Sequence, residues 1–541
     1  MSLSILIWLP LVAALIGAVF PSDLGPRVAL GGALATLGIA IGYVISFDRG
    51  AEGLQFLTDE TWISELGVHY KLGLDGLNLF LVLLTALLFA SAMLAANRRA
   101  WERPRLFYFQ FALAETAVLG AFLAQDLALF VAFFDLMLIP FYFLVGAWGG
   151  PDRVAATTKL VIYTLVGSLL MLAGAIATGV IAAQGDAPLS FALSDLQRAS
   201  LPEGSQDWIF LCFAAAFLVK MPAFPLHGWM PDGYRAMPLP VLAVFSAVLS
   251  KVAAYGFLRV VLPIFPDASV QFQELMLLLA LASILYGSVM AFTQTDLRLI
   301  LGYSSVAQLG FITLGIFALR PEGAQGALLQ MINHGLVVAP LFFIVGLLAE
   351  RAGGSEDIRD MGGVAFRAPV LAAMFLIAAL ATLAMPGSAN FVGEFLILLG
   401  VFKAKLVIAI VAFTGVVLAS VYMLRAFIRA MHNRTGERVE SREMGLLDGV
   451  VVVPLVLAIV ALSLYPQLPL VRSEDSVEAS IRAAGQIADP PPPPQAGVPR
   501  AGAVPGGPVP GQGGQVPPGA GGQVPPPAGA GAPPSGSGQG P

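Results

Sequence analysis

The chain has a single cysteine, Cys212, in 541 residues. That excludes a disulfide within the chain and any multi-cysteine zinc or iron–sulfur site of its own. Charge is scarce as well: 12% of the residues are charged, against roughly 25% in average soluble domains. The net charge of −5 leaves no basic footprint for nucleic acid. Cofactor motifs are missing too: no GxGxxG follows a strand, and there is no phosphate-binding GxxxxGKS or GxxxxGKT loop and no CxxC pair. The four histidines, His69, His227, His334 and His432, lack the paired helical spacing that would ligate haem. Redox and nucleotide chemistry within this chain are excluded.

Apolar sequence is what the chain has in quantity. Hydrophobic residues make up 57% of it and the mean hydropathy is +0.82, which defines a polytopic membrane protein. With a window of about twenty residues, about fourteen apolar spans are expected, the first within Met1–Phe20 and the last ending near residue 468. Met1–Phe20 lacks the basic n-region and small-residue cleavage site of a signal peptide, so it reads as a span. Prolines interrupt the seventh span (208–227) and the twelfth (369–401). The expected fold is all-α, with two inverted five-helix repeats whose seventh and twelfth helices are discontinuous. Spans 4–8 and 9–13 form the repeats, because Met221-Pro222 beside Lys220 is echoed by Met385-Pro386-Gly387 before Glu394. The domains are then residues 1–105, helices 1–3; 106–262 and 263–430, the repeats; 431–470, helix 14; and 471–541, a disordered tail rich in Pro, Gly and Gln. Its composition changes most sharply at about Asp489.

Arginines in short loops set the orientation. Arg98, Arg99, Arg103 and Arg105, then Arg351, Arg359 and Arg367, then Arg429, Arg434, Arg438 and Arg442 mark cytoplasmic loops. Lys403 and Lys405 run against the pattern. Both termini are expected outside the cytoplasm.

Ionisable groups inside the spans are functional candidates, because each costs several kcal/mol unless paired, hydrated or neutral. Lys220 ends an apolar run at Pro222 and Pro225, and Lys251 lies mid-way along the next span, too far from its ends to snorkel. Asp135 sits among phenylalanines in LALFVAFFDLMLIPFYF. It pairs with Lys220 or stays neutral on a neighbouring helix, and pairing is the preferred reading. Glu115 has the same burial logic, as a second acidic station or a helix–helix hydrogen bond. His334 is a relay near Lys251 and Glu394, or a core histidine, and Glu394 would end a lysine–histidine chain. His227 follows the break and caps or orients it. Tyr303, Ser304 and Ser305 order water or satisfy backbone.

The segments VKMPAFPLHGWMPD, LSKVAAYGFLR, QTDLRLILGYSS, QMINHGLVVAPLFF and MPGSANFVGEFLIL carry a resemblance. With HYKLGLDGLNLF (69–80) and LMLIPFYFLVGAWGG (136–150), they resemble the antiporter-like subunits of respiratory complex I, over about residues 1–470. The resemblance implies a fourteen-helix fold and proton translocation driven by quinone reduction elsewhere in the complex. It makes Lys220 the central lysine of the broken seventh helix, Lys251 the bridging lysine, His334 the histidine of the eleventh and Glu394 the terminal acid of the twelfth. Asp135 stands where the family usually has glutamate, Tyr234 and Gln308 stand where it has histidine, and Ala236 where it has an acid. The implied partners are the antiporter-like neighbours in the membrane arm and the lipid bilayer, in a bacterial plasma membrane. FMN, iron–sulfur clusters and quinone belong to partner subunits, with no cofactor in this chain. Two other readings remain open here: a subunit of a multi-subunit Na⁺/H⁺ antiporter or membrane-bound hydrogenase, and a non-conducting scaffold.

Overall fold

The computed structural model describes residues 2–20, 24–51, 53–184, 188–436 and 438–490. Helices α1 (Leu3–Val19) and α2 (Gly25–Ser46) open the chain. They lead to an antiparallel hairpin of β1 (Gln55–Ile63) and β2 (Val68–Leu74). This hairpin departs from the all-α expectation. Residues 55–74 are too polar to cross a membrane, and their β-branched and aromatic side chains suit a pleated ribbon. The strands pair Thr58 with Leu72, Asp59 with Lys71 and Thr61 with His69, and Gly67 turns between them at φ 60°. Asp59 accepts from His69 (2.7 Å) and Lys71 (3.2 Å). Partial burial pushes the Asp59 carboxyl up, but the hydrogen bonds from His69 and Lys71 and the lysine's charge outweigh it and hold it below the usual aspartate range.

The bundle follows: α3 (Leu79–Ala96), α4 (Pro104–Leu123), α5 (Leu127–Trp148), α6 (Arg153–Ala182), α7 (Glu203–Lys220), α8 (Leu239–Ile264), α9 (Gln273–Thr293), α10 (Leu297–Ile316) and α11 (Pro321–Arg351). The chain continues through α12 (Pro369–Thr382), α13 (Ala389–Ala404), α14 (Leu406–Met431), α15 (Leu446–Leu464) and α16 (Gln467–Ala488). Among the described residues, eleven helices are long and apolar enough to cross a membrane, with α1 and α12 shorter apolar helices. The apolar lengths of α8 and α10 are wholly buried and α11 nearly so, whereas α2, α14 and α15 bury only a third of theirs. The centre of the bundle is therefore α8, α10 and α11, with α4 and α3 the next most buried.

Two interruptions shape this centre. Helix α7 stops at Lys220 because Pro222 and Pro225 offer no amide donor. Phe217 keeps its helical bond from the Met221 amide (2.8 Å), and the carbonyls beyond find other partners: Leu218 accepts from the Ala223 amide (2.9 Å) and Val219 from the Trp229 indole (2.9 Å). The Phe224 amide donates to Ser283 Oγ of α9 (2.9 Å). The chain then resumes as a short helix, Met230–Ala236. Between α12 and α13, Ala384 (φ 50°) and Gly387 (φ 91°) turn the chain around Pro386.

The tail assignment needs correction, because residues 471–488 are not disordered but belong to α16. Pro469, Ser473, Val477, Ser480, Ile481 and Ala484 form its buried stripe, while Glu474, Asp475, Glu478 and Arg482 keep its composition too polar for an apolar window. Gln325 of α11 donates to the Leu470 carbonyl (2.8 Å) and Ser473 Oγ (2.9 Å), and the Gly76 amide donates to Ser476 Oγ (3.2 Å). The rest of the expected tail, residues 491–541, lies outside the described residues. Lys403, an exception to the loop-charge pattern, donates to Glu322 (2.5 Å), so its charge is neutralised locally.

A buried ion pair ties the hairpin to α8. Arg259 donates to both oxygens of Asp75 (2.6 Å each) and to Tyr255 Oη (2.9 Å), and Tyr255 donates to the Phe122 carbonyl (2.9 Å). Removing one member strands the other charge, which costs about 3–5 kcal/mol. Asp75→Ala is expected to lower the thermal midpoint and the amount of folded protein in membranes. The Asp75→Ala/Arg259→Ala double variant should lose less than the two single losses added together, as a double-mutant cycle would measure.

Candidate functional site

The first station lies at the end of α7. Lys220 is buried, and its Nζ donates to the Phe134 carbonyl of α5 (2.7 Å) while lying 3.6 Å from the centroid of the Phe134 ring. The position suits a cation, since the C-terminal end of a helix carries partial negative charge. Asp135, the next residue on α5, makes no direct ion pair with Lys220. The two interact through space, Ser168 of α6 lies beside the carboxylate, and Asp135 Oδ1 is buried without a hydrogen-bond partner. The pairing preferred from sequence is present as a through-space interaction, while the lysine's hydrogen bond goes to a backbone carbonyl. Aspartate is one methylene shorter than glutamate, and the lysine takes the carbonyl one residue earlier.

The second station is on α8. Lys251 is fully buried, and Nζ donates to the Ser246 carbonyl (2.9 Å) and Ser250 Oγ (3.2 Å). The acceptor lies in a π-helical segment, Phe245–Leu249, immediately before the lysine. Such widened turns loosen the regular backbone ladder and recur at functional sites. A void of about 10 Å³ lies beside Lys220, lined chiefly by apolar side chains such as Met137, Leu138, Phe141 and Leu160, with Phe245 and Leu249 of the π segment at its edge. His334 of α11 is within electrostatic reach of Lys251, and its Nδ1 is buried without a partner.

The third station gathers around Glu394, early in α13. Gln308 Nε2 of α10 donates to Glu394 Oε1 (2.8 Å), and Gln330 Nε2 of α11 donates to Gln308 Oε1 (2.7 Å) and, more distantly, to Glu394 Oε1 (3.4 Å). Close approach of α11 and α13 makes this possible. A Cβ on Gly326 would fall 2.6 Å from the Ile397 amide nitrogen, and one on Gly393 would fall 2.5 Å from Gln330 Oε1. Ser304 Oγ and Tyr422 Oη of α14 lie 2.9 Å apart next to this cluster. Asn333, beside His334, donates to the Ala389 carbonyl at the second interruption (2.6 Å).

The remaining candidates divide. Glu115 is completely buried on α4 with both carboxyl oxygens unpartnered, and it forms no hydrogen bond with the five principal residues. His227 sits in the α7 break, where its ring packs on Phe224 (5.8 Å between centroids) and Tyr286 (4.7 Å), so aromatic packing orients it. The Tyr303 ring is 6.3 Å from both His227 and Tyr286. Sequence reasoning missed Tyr422 and Gln330, uncharged residues in apolar runs. It also passed over Asp75 and Arg259 as a pair, although a charge within YGFLRVVLP was a usable signal. Arg298 was missed as well: it donates to the carbonyls of Tyr234 (3.0 Å), Arg235 (3.1 Å) and Met237 (2.7 Å) and to Glu356, and so fixes the end of the short helix after the break.

Buried ionisable side chains held on interrupted and π-widened helices are the parts of an ion-translocating membrane protein. The chain belongs to the family described as NADH:quinone oxidoreductase/Mrp antiporter, whose transmembrane profile matches residues 124–439. It is 36% identical to NADH-quinone oxidoreductase subunit M of Rhodobacter capsulatus over 489 residues, which is 86% of this chain and 93% of the relative. It is also 36% identical to subunit M of Escherichia coli K12 over 468 residues, 83% of this chain and 92% of the relative. Among solved structures, a chain of respiratory complex I from Thermus thermophilus with bound NADH superposes with a TM-score of 0.81 at 32% identity, covering 89% of this chain and 99% of that one. A chain of the Mrp complex from Dietzia shares the fold, with a TM-score of 0.76 at 22% identity and coverage of 89% and 99%.

Gly326→Val would push α13 from α11 and separate Gln330 from Glu394. Overpacking of this kind costs about 1–3 kcal/mol, and the expected outcome is a lower thermal midpoint with less assembled protein in membranes.

Proposed function

We propose that this chain is a proton-translocating, antiporter-like subunit of the membrane arm of NADH:quinone oxidoreductase, of the subunit M type. The observation that carries the reading is the row of buried ionisable groups, Lys220, Lys251, His334 and Glu394, borne by the central helices and by the two interrupted ones. Asp135 completes the row at the Lys220 end. In a medium of low dielectric, each group's protonation depends on its neighbour's charge. Moving a proton between Lys220 and Lys251 changes what Asp135 and His334 experience. That coupling lets a distant event drive stepwise transfer to Glu394. The redox chemistry, with its FMN, iron–sulfur clusters and quinone, belongs to partner subunits, and antiporter-like neighbours flank this chain in the arm.

The finer architecture belongs to the same reading. Helices α1–α11, α12 with α13, α14 and α15 make fourteen crossings of a bacterial plasma membrane, with both termini outside the cytoplasm. Residues 106–262 and 263–430 form two inverted repeats, each with one interrupted helix. Glu115, His227, Tyr303 and Ser304 are auxiliary to the main row.

Proton uptake driven by NADH in inverted membrane vesicles, with NADH–quinone reductase activity recorded in parallel, tests the assignment. Lys220→Ala is expected to abolish uptake with assembly intact, and full proton uptake in that variant would overturn the reading. Asp135→Asn should be nearly as damaging, since it removes the charge that faces Lys220. Asp135→Glu should retain activity, because the longer acid reaches the lysine directly. Deleting residues 490–541 should leave both activities unchanged.

A further inference from the structure

The surroundings of Glu394 differ in kind from those of the two lysines. Both hydrogen bonds that Glu394 receives fall on Oε1, and both come from side-chain amides. An amide nitrogen only donates and an amide oxygen only accepts. Gln308 and Gln330 can therefore hold a carboxyl group in place, but neither passes a proton onward. Oε2 is left for a different partner.

Hydroxyls behave otherwise, since each donates one proton while accepting another. Two of them stand beside the cluster, Ser304 Oγ and Tyr422 Oη, 2.9 Å apart and both buried. They lie on helices that flank α13, and Tyr422 is within electrostatic reach of Glu394. On α10 the next residue, Ser305, is 3.4 Å from Ser246 Oγ of α8, and the Ser246 carbonyl holds Lys251. Helix α10 thus carries Ser304 toward Tyr422 on α14 and Ser305 toward the helix that bears Lys251.

We propose that Tyr422 and Ser304 carry protons to and from Glu394, while Gln308 and Gln330 only position its carboxyl group. This rests on the reading of Glu394 as a proton-pathway group. In one direction the Glu394 carboxyl proton passes through a water molecule to Tyr422 Oη. The Tyr422 proton passes to Ser304 Oγ, and the Ser304 proton passes to a second water. Each hydroxyl ends with one proton, Glu394 ends as carboxylate and the second water as hydronium. The reverse sequence reprotonates the acid.

The test uses the intact complex in inverted vesicles carrying Glu394→Gln, Tyr422→Phe, Ser304→Ala or Ser304→Thr. Subunit content is measured beside NADH-driven proton uptake. Tyr422→Phe keeps the ring and its packing, so loss of uptake reports the hydroxyl. Tyr422→Phe and Ser304→Ala are each expected to slow uptake about tenfold, the low side of what a positioned proton-transfer group contributes. Ser304→Thr restores most of what Ser304→Ala loses. Wild-type uptake in Tyr422→Phe and Ser304→Ala, with Glu394→Gln impaired, overturns this proposal and leaves the Glu394 assignment standing. Wild-type uptake in Glu394→Gln overturns both. If Tyr422→Phe fails to assemble, the serine pair decides: an assembled Ser304→Thr no faster than Ser304→Ala overturns the hydroxyl role.

Discussion

Everything in the centre of this bundle depends on ending a helix inside it at a charged residue. A helix that stops there exposes its last carbonyls where no bulk water can reach them. Helix α7 stops at Lys220, and its final carbonyls are taken up by the Met221 and Ala223 amides and by the Trp229 indole. The break is thus held by the side chains and amides of the segment that follows it. Because the break is satisfied, the lysine can sit at a helix terminus whose dipole favours a cation. Its ammonium reaches the Phe134 carbonyl and ring of α5. The short helix beyond is secured separately, by Arg298 on three of its terminal carbonyls.

The central helices follow one pattern. Each lysine is held by protein oxygen on its own helix or on one neighbour: Lys251 by Ser246 and Ser250, Lys220 by Phe134. Neither forms a tight ion pair. A tight buried pair would lock its charges, because separating it costs several kcal/mol. Carbonyls and hydroxyls lower the cost of the charge without fixing it, which suits groups that must gain and lose protons. The one tight buried pair on α8, Arg259 with Asp75, lies at the end of the helix against the hairpin. It serves there as an anchor.

The departures that the resemblance implies gain meaning from their surroundings. Asp135 in place of glutamate comes with a lysine that bonds to backbone and a carboxylate oxygen left unpartnered. Gln308 in place of histidine comes with an amide pair clasping Glu394. Tyr234, also in place of histidine, is buried with its ring near Trp229, Phe245 and Phe342, so packing accounts for it.

Spans, breaks and the principal ionisable residues were legible without a structure. Apolar length, proline and isolated charge are local properties, and bilayer thickness turns them into helices, interruptions and functional candidates. Lys220, Lys251, His334 and Glu394 stand out in the sequence for that reason. Helix α16 and the hairpin escaped the same logic, since both are polar enough to read as loop or tail and owe their order to docking. Which oxygen each lysine would choose was not legible either, nor was the meeting of Gln308 from α10, Gln330 from α11 and Tyr422 from α14 around one carboxyl group. An uncharged polar residue in an apolar run carries no mark of its neighbours. Only helix packing, with Gly326 and Gly393 bringing backbones into contact, decides which of these groups meet and which stay apart.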